Sequence, residues 1–440
     1  MSAVIVERRG KVLVLKLNNP PVNGLGAAVR TILAEAIRKG QSDGNFSAFV
    51  VVGEGRMFSA GADIREFNTR PPAGTPDLND VINDLEMSEK PVVAAIHGVA
   101  AGGGLELALG AHYRVCVAKA LVGLPEVTLG ILPVAGGTQR LPRIAGVKAS
   151  LDLITSGRLI SVDECVKLGF IDEVTEYDYL ETAVATAERL ADEGWVPNRA
   201  RERTEGLAEA EENPSIFADF KKGTAKAARG TKAPYACVDC VQAAVTKPID
   251  EGIKFEREEF KKLVTGTESK SMRHAFFAGR KVTKIPDVPK TVTPKEIKSA
   301  AIIGCGTMGG GIAMNFANGG IPVIVVERDQ TALQAGVSKI RVNYAATVSK
   351  NRLSQDAMDT RVSLVTGVTE LEAIEDADIV IEAVFEEMDI KKNIFRNLDM
   401  ICKSGAVLAT NTSTLDVDEI ASVTDVPKIL SAPTSSVLPT

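Results

Sequence analysis

Two glutamates, Glu106 and Glu126, lie in apolar segments that offer a carboxylate little stabilisation. Glu106 follows three glycines within AAGGGLELALG, and Glu126 follows a proline within GLPEVTLGILP. Each glycine in a helix interior costs roughly 0.5–1 kcal/mol relative to alanine, and a buried ionised carboxylate costs more. Two carboxylates held near one substrate in a dry pocket have their pKa values pushed apart, which provides one acid and one base. The alternative for either glutamate alone is a carboxylate that points to solvent.

The glycines before Glu106 and a second turn of small residues, 60–62, are predicted to present free backbone N–H groups. A strand ending at Ile96 leads through the glycines into a helix that starts near Gly104. The first N–H groups of a helix have no intrahelical acceptor, and the helix dipole favours negative charge there. Since glycine has no Cβ, a ligand can come close to these amides. One oxygen could therefore accept an N–H from each turn, an arrangement that stabilises a developing oxyanion.

A second candidate site begins with the pattern G-x-G-x-x-G at Gly304, Gly306 and Gly309. The pattern follows the apolar run SAAIIG, opens a helix and is followed by IPVIVVERD, in which Glu327 lies 21 residues past Gly306. Such a turn binds a pyrophosphate at a helix N-terminus, and the acidic residue binds the ribose hydroxyls. The acid favours NAD over NADP, although the adjacent Arg328 leaves NADP open.

Length and composition describe a protein of more than one domain. The chain has 440 residues, of which 45% are hydrophobic and 25% charged, with a net charge of −6. This balance argues against nucleic acid or an anionic membrane as the main partner. We expect no secretory signal, and we find no apolar run long enough to span a bilayer.

The cysteines and histidines do not predict a metal site. Cys237 and Cys240 form one C-x-x-C, which we interpret as neighbouring turns of an ordinary helix, with a redox or zinc role as the alternative. The three histidines, His97, His112 and His274, are dispersed and lack ligand spacing. We expect His97 and His112 to be packed or solvent-facing.

Strand-like and helix-like runs alternate to about residue 175, which predicts an α/β fold. We divide the chain into residues 1–180, a helical segment at 181–280, a proline- and lysine-containing linker at 281–298, and a second α/β domain at 299–440. Within the first domain, the helical run AAVRTILAEAIRKG is predicted to stop at Gly40.

Five segments in residues 1–180 resemble the crotonase (enoyl-CoA hydratase/isomerase) family. They are NNPPVNGLG, GRMFSAGADIREF, HGVAAGGGLELALG, GLPEVTLGILPVAGGTQRLPR and SGRLISVDECVKLGFIDEV. The resemblance implies a spiral of ββα units that binds acyl-CoA substrates, with coenzyme A as part of the substrate and no metal. By this match, the backbone amides of Ala60 and Gly103 polarise the thioester oxygen. The substrate-binding set implied by the resemblance is Ala60, Gly61, Asp63, Ile64, Gly103 and Gly104.

The same resemblance gives Glu106 and Glu126 the role of the two acids that hold a water and add it across a double bond. Having both favours hydration of 2-enoyl-CoA, while isomerisation of 3-enoyl-CoA could use Glu126 alone as the proton shuttle. One departure is Val134, where many members carry glycine; we expect little effect from it.

The second domain resembles the NAD-binding domain of 3-hydroxyacyl-CoA dehydrogenases. IGCGTMGGGIA, VVERD, DADIVIEAVFEEMDIKKNIF and ATNTSTLDVDEIAS carry the resemblance. It implies NAD as the cofactor, with Glu386 and Lys391 lining its site and Ser413 touching the substrate hydroxyl. The complete cofactor-binding set that we predict is Gly304, Gly306, Met308, Gly309, Glu327, Glu386, Lys391 and Ser413.

Together the two halves resemble the peroxisomal-type multifunctional enzymes of fatty-acid β-oxidation. Those enzymes continue after the IAS segment with a strand that bears a catalytic histidine, whereas no histidine follows His274 here. We therefore expect a truncated chain with an incomplete Rossmann-type domain that lacks this strand. Such a chain would be an active hydratase with weakened NAD binding and an inactive dehydrogenase half.

Two alternatives remain open: a complete bifunctional enzyme represented by a fragment, and a non-catalytic isoform that binds acyl-CoA or NAD. The resemblance implies a peroxisomal location, although the last residues, SSVLPT, do not form an S-K-L address and leave the cytoplasm open. It also leaves open a monomer or a crotonase-type oligomer.

Overall fold

The structure is a computed structural model that describes residues 2–68, 71–176, 178–282, 288–289, 291–350, 352–425 and 429–431. The chain divides into two compact units, Met1–Ile285 and Pro286–Thr440. Part of the predicted linker, residues 283–287 and 290, lies outside the described residues. The four finer segment boundaries stay a prediction.

The first unit is built on two sheets. Its strands are β1 (Val4–Arg9), β2 (Val12–Leu17), β3 (Ala48–Gly53), β4 (Val92–Ile96), β5 (Val99–Ala101), β6 (Tyr113–Val117), β7 (Leu121–Gly123), β8 (Ile160–Ser161) and β9 (Glu173–Thr175). The larger sheet has the order β1-β2-β3-β4-β6-β9, in which β1 is antiparallel to β2 and the other neighbours are parallel. The smaller sheet has the order β5-β7-β8.

Helices cover both faces of the larger sheet. The helices of the first unit are α1 (Ala27–Ser42), α2 (Leu78–Glu86), α3 (Gly103–Leu109), α4 (Gly137–Ala145), α5 (Val147–Ser156), α6 (Val162–Lys167), α7 (Tyr179–Asp192), α8 (Ala208–Glu212), α9 (Ile216–Ala228), α10 (Ala233–Thr246), α11 (Ile249–Val264) and α12 (Thr267–Val282). Strand β3 is apolar throughout because both of its faces are buried. Phe49 and Val51 belong to the larger core, whereas Val50 and Val52 pack with Ala183 of α7. Strands covered on both faces have continuous apolar sequences.

Helix α1 does not stop at Gly40, as the sequence predicts, but continues to Ser42. A Cβ at Gly40 would lie 2.6 Å from Leu13 Cδ2 and 2.7 Å from Phe49 Cε1. The glycine therefore allows the helix to pack closely on the sheet, and the prediction of a helix end was wrong.

The second unit is a doubly wound parallel sheet. Its strands are β10 (Ala300–Ile303), β11 (Val323–Val326), β12 (Val365–Val368), β13 (Ile379–Glu382), β14 (Val407–Thr410) and β15 (Ile429–Ser431). Its helices are α13 (Thr307–Asn318), α14 (Gln330–Val348), α15 (Gln355–Ser363), α16 (Met388–Ile401) and α17 (Val417–Ala421). The order β12-β11-β10-β13-β14-β15 is the 3-2-1-4-5-6 order of Rossmann folds, which confirms the predicted fold class.

The expectation that a strand is missing after the IAS segment was wrong. Strand β15 pairs in parallel with β14, with Leu408 opposite Ile429. None of the described helices combines the length and hydropathy that a bilayer crossing requires.

Candidate active site and dinucleotide site

The bend between β5 and α3 is made possible by Gly102. Its backbone has φ 55° and ψ −130°, a left-handed conformation that residues with a Cβ rarely adopt. A Cβ at Gly102 would also lie 2.8 Å from Glu126 Oε1. Glycine is thus required both for the turn and for the close approach of the Glu126 carboxyl group to it.

Glu106 lies one turn into α3 and is 2% exposed. Its Oε1 accepts the N–H groups of Ala135 and Gly137, each at 2.8 Å, at the start of α4. Burial raises the pKa of Glu106 to about 7, against the lowering effect of these two hydrogen bonds and of the Arg140 charge. Close to neutral pH, a substantial fraction of Glu106 is therefore an oriented carboxylate.

Glu126 lies in a short 3₁₀ helix, Pro125–Leu129. Its Oε2 is buried and has no hydrogen-bond partner in the described part of the chain. Burial, and secondarily the charge of Glu106, raises the pKa of Glu126 well above its ordinary value. The structure therefore brings the two predicted acids together and gives them different proton affinities, with Glu126 the one that holds its proton.

The two predicted turns also meet. A Cβ at Gly61 would lie 2.9 Å from the nitrogen of Gly103. Among the described residues, the N–H groups of Gly103 and Ala62 donate to no protein acceptor. The N–H of Ala60, however, donates to the Val22 carbonyl at 2.9 Å. Ala60 is thus not a free donor in this state, which sequence reasoning did not anticipate.

The other residues of the predicted substrate set surround these turns. Gly104 packs against Ser59, whose carbonyl oxygen would lie 2.6 Å from a Cβ at position 104. The Asp63 carboxylate pairs with the guanidinium of Arg65 at 2.7 Å. Ile64 lines a cavity of about 470 Å³ together with Arg65 and residues of α12.

This cavity is cationic, and the sequence analysis missed it. Its lining residues are Ile64, Arg65, Lys270, Arg273, His274 and Phe277. Arg273 is buried and donates to the Val264 carbonyl at 2.9 Å, whereas Lys270 and His274 are exposed. The i, i+3, i+4, i+7 spacing of the four α12 residues indicates one helix face, but only the fold places that face beside residue 64.

His97, His112 and the two cysteines of the C-x-x-C pair are buried within the first unit. His112 Nδ1 accepts the N–H of Val92, and burial lowers the pKa of His112 to about 4. His97 stacks on Tyr179. Cys237 and Cys240 are buried along α10, where burial raises the pKa of both thiols.

In the second unit, the three glycines of the G-x-G-x-x-G turn have three different surroundings. Gly304 has φ +93°, and a Cβ there would lie 2.8 Å from the Ala383 carbonyl oxygen. A Cβ at Gly309 would overlap the carbonyl oxygen of Gly304, whereas a Cβ at Gly306 would meet no atom within 4 Å. Gly306 therefore faces open space at the start of α13, where a pyrophosphate would lie in a dinucleotide-binding turn.

A cavity of about 980 Å³ opens at this turn. Its lining includes the predicted residues Gly304, Gly306, Met308, Glu327, Glu386 and Ser413, together with Phe385, Asn411 and Thr414, which the sequence analysis did not identify. Glu327 Oε1 accepts the N–H of Cys305 at 2.6 Å, which fixes the acid beside the glycine turn. These residues fit a dinucleotide.

Glu386 and Lys391 lie in different environments. Against its slight burial, hydrogen bonds from Thr412 and from the N–H groups of Ser413 and Thr414 lower the pKa of Glu386 to about 2. Lys391 is fully buried and donates to both carboxylate oxygens of Glu382 at 2.8 Å. Lys391 is therefore not among the residues that line the cavity, where the sequence resemblance had placed it.

Fold and sites together define an α/β protein with a crotonase-type domain followed by a Rossmann-type dinucleotide-binding domain. Residues 7–215 match the enoyl-CoA hydratase/isomerase family, and residues 299–431 match the NAD-binding domain of 3-hydroxyacyl-CoA dehydrogenases. The chain is therefore an enoyl-CoA hydratase/isomerase domain fused to the NAD-binding domain of a 3-hydroxyacyl-CoA dehydrogenase.

Curated relatives match nearly the whole length of this chain. The chain is 42% identical to the peroxisomal bifunctional enzyme of Danio rerio over 95% of its own length and 58% of the relative. It is 43% identical to the peroxisomal bifunctional enzyme of Homo sapiens, over 94% of this chain and 57% of that one. A peroxisomal fatty acid beta-oxidation multifunctional protein of Arabidopsis thaliana is 37% identical over 94% of this chain and 58% of its own length. The chain thus spans 57–58% of the length of these relatives.

Proposed function

We propose that the first unit hydrates trans-2-enoyl-CoA to 3-hydroxyacyl-CoA in fatty-acid β-oxidation. The observation that carries this proposal is the unequal pair of glutamates beside the Gly102 bend, of which Glu106 is buried and Glu126 partly buried. Glu106 is held by two N–H groups that favour its anion, and Glu126 has an unpartnered buried oxygen and a raised pKa. One base and one acid on the same substrate are what the addition of water requires.

The steps follow from these protonation states. The Glu106 carboxylate removes a proton from water while the water oxygen bonds to the β-carbon. The π electrons move to the thioester oxygen, and the protonated Glu126 then delivers its proton to the α-carbon. Water has been added, and a proton returns from Glu106 to Glu126 before the next cycle.

The thioester oxygen needs hydrogen-bond donors while it carries negative charge. The unengaged N–H of Gly103 is the first donor that we assign. Ala60 is the second donor. Its N–H must then donate to the thioester oxygen in addition to, or in place of, the Val22 carbonyl oxygen. Ala62, whose N–H is free beside Gly103, is the alternative. Losing one such donor costs about 3–4 kcal/mol in the barrier.

The cationic cavity of Arg65, Lys270 and His274 is where we place the phosphates of coenzyme A. Replacing Lys270 by alanine is expected to raise KM for crotonyl-CoA about 2–5-fold with little change in kcat, because an exposed ion pair contributes only about 0.2–1 kcal/mol. Steady-state kinetics at low and high salt would measure this, since screening should remove the difference. The exposed Lys254 of α11 provides the control, and an equal KM change in Lys254→Ala would contradict the assignment.

Isomerisation of 3-enoyl-CoA to 2-enoyl-CoA is a second candidate activity of the same site. It requires one carboxylate to remove a proton from one carbon and return the same proton to another. The unpartnered oxygen of Glu126 favours this residue for the task, which it performs from its deprotonated form and not from the protonated form that acts in hydration.

The simplest test of hydration is loss of the enoyl absorbance of crotonyl-CoA on addition of residues 1–440. Turnover would support the proposal and exclude a non-catalytic acyl-CoA-binding protein. Absence of turnover by the folded chain would overturn it.

The second unit is proposed to bind NAD, which supplies a hydride acceptor for oxidation of 3-hydroxyacyl-CoA when bound. That residues 1–440 bind NAD weakly and do not complete this oxidation stays a prediction. NADH formation from 3-hydroxybutyryl-CoA would contradict it. A peroxisomal location is proposed because the relatives carry that name, and a monomer or crotonase-type oligomer also stays a prediction.

The open space at Gly306 gives a specific prediction for cofactor binding. Gly306→Ala is expected to weaken NAD binding about tenfold, because its Cβ would occupy the side from which the pyrophosphate approaches while touching no protein atom. Calorimetric titration with NAD measures the affinity, and thermal unfolding checks the fold. Gly311→Ala in α13, where a Cβ also meets no atom within 4 Å, is the control. Equal effects of the two variants would contradict the placement.

A further inference from the structure

Another buried glutamate of the first unit, Glu256 of α11, contacts the segment that holds Glu106. Glu256 is completely buried. Its Oε1 accepts the N–H of Gly136 at 2.8 Å, and its Oε2 accepts the N–H of Thr138 at 3.1 Å and the Thr138 hydroxyl. No step of the proposed hydration uses this carboxyl group.

Four successive backbone N–H groups therefore alternate between two carboxyl groups. Those of Ala135 and Gly137 point to Glu106, and those of Gly136 and Thr138 point to Glu256. We call residues 135–138 the shared segment. Because each carboxyl group holds every second amide, a change in one alters the position of the donors available to the other.

The side chains around the Thr138 hydroxyl set the direction of its hydrogen bond. Gln139 Nε2 donates to Thr138 Oγ1 at 2.8 Å and to the Cys240 carbonyl at 2.8 Å. With Gln139 as a donor to its oxygen, the hydroxyl directs its own hydrogen to Glu256. Glu256 thus accepts three hydrogen bonds, a pattern that suits a carboxylate.

We propose that Glu256 is a positioning residue for Glu106: it holds the shared segment in the form that orients the Glu106 carboxylate, and its charge acts on the Glu106 proton. This inference rests on the proposed hydratase function. Glu256 touches no substrate in it and acts only through the shared segment.

The charges around Glu256 support this role. Burial, and secondarily the charge of Glu106, raises the pKa of Glu256 to about 8, against the lowering effect of the hydrogen bonds from Thr138 and Gly136. Titratable groups of other elements also face Glu256. Glu126 interacts with it through its negative charge when it is ionised. The raised pKa values of Cys237 and Cys240 of α10 keep both thiols neutral. The cation that acts on Glu106 is Arg140 of α4, which is engaged by Glu86 at 2.7 Å. Because a charge interaction is reciprocal, Glu106 and Glu256 titrate as one coupled pair in which an anion on either residue disfavours an anion on the other. Removing the ionisable group of Glu256 should therefore make Glu106 easier to ionise.

The experiment measures the titration of Glu106 directly, without turnover. In chain labelled with carbon-13 at the glutamate side-chain carboxyl, the resonance lost in Glu106→Gln identifies this residue, and its chemical shift is followed with pH. We expect Glu256→Gln to lower the titration midpoint of Glu106 by about one unit, as for strongly coupled carboxyl groups. Glu258→Gln, an exposed position of the same helix, should leave it unchanged.

The outcomes separate this inference from the proposed function. An unchanged midpoint in folded Glu256→Gln overturns the inference, whatever the activity of the wild-type chain. Failure of the wild-type chain to hydrate crotonyl-CoA overturns the function instead. If Glu256→Gln does not fold, Thr138→Val decides: losing the hydroxyl donor should favour the proton on Glu256 and shift Glu106 in the same direction, while Thr138→Ser should titrate as wild type. A wild-type midpoint in Thr138→Val would then overturn the inference.

Discussion

Replacing Glu106 by glutamine is expected to lower kcat for hydration of crotonyl-CoA by about 10²–10⁴-fold, the contribution typical of a placed general base. Glutamine can keep its oxygen on the N–H groups of Ala135 and Gly137, which hold Glu106 Oε1 at 2.8 Å. The fold should therefore survive while the base is lost. Steady-state rates, with thermal unfolding as a check on folding, measure the effect.

The pH dependence gives an independent view of the same variant. In the wild-type chain, kcat/KM should fall as the pH drops through about 7, because protonation of Glu106, whose pKa is raised to about 7 by burial, removes the base. This limb should be absent from the residual activity of Glu106→Gln. Glu173→Gln is the control. Glu173 lies on β9, where it accepts a hydrogen bond from the Thr186 hydroxyl, and it has no role in the proposed hydration. A wild-type rate in Glu106→Gln would remove Glu106 from the mechanism.

Local sequence was sufficient where chemistry and backbone conformation were encoded within one short segment. The glycines before Glu106 predicted a bend that opens a helix, and the structure has this bend at Gly102 with a left-handed backbone. The spacing of Gly304, Gly306 and Gly309 after an apolar strand similarly predicted a Rossmann-type turn, and the parallel strand order confirms the fold.

Sequence was insufficient where a partner distant along the chain decides the outcome. Gly40 is a helix terminator by its type, but its packing against Leu13 and Phe49 keeps it inside α1. Ala60 was expected to offer a free N–H, which in the structure donates to the carbonyl of Val22. Neither contact can be recognised from the residue type at position 40 or position 60.

Glu256 is an intermediate case, because its burial could have been predicted. Ile249, Ile253, Glu256 and Phe260 follow helical spacing, which places this glutamate on the apolar stripe of α11. The many charged residues in DEGIKFEREEFKKLV make this apolar spacing difficult to recognise. Its partners at Gly136 and Thr138 are more than 115 residues away, so only the fold reveals what the buried carboxyl group contacts.

Replacing Glu126 by glutamine is expected to lower hydration by about 10²–10⁴-fold as well, for a different reason. Glu126 holds the proton that the α-carbon must receive, since burial and the charge of Glu106 raise its pKa well above its ordinary value. Glutamine has no acidic proton to give, although it can occupy the same space beside Gly102. Rates with crotonyl-CoA measure the loss, and an unchanged rate alongside an inactive Glu106→Gln would mean that the second acid is misassigned.

A 3-enoyl-CoA substrate distinguishes the two glutamates more sharply. If Glu126 alone carries the proton between carbons, Glu126→Gln should lose isomerisation and hydration together. Glu106→Gln should lose hydration but retain most of its isomerisation, because no water has to be activated. Equal loss of both activities in both variants would mean that the glutamates act as one coupled unit, and the assignment of a separate base and acid would have to be abandoned. The unequal hydrogen bonding of the two carboxyl groups, two donors on Glu106 Oε1 and none on Glu126 Oε2, is the physical reason to expect the separation.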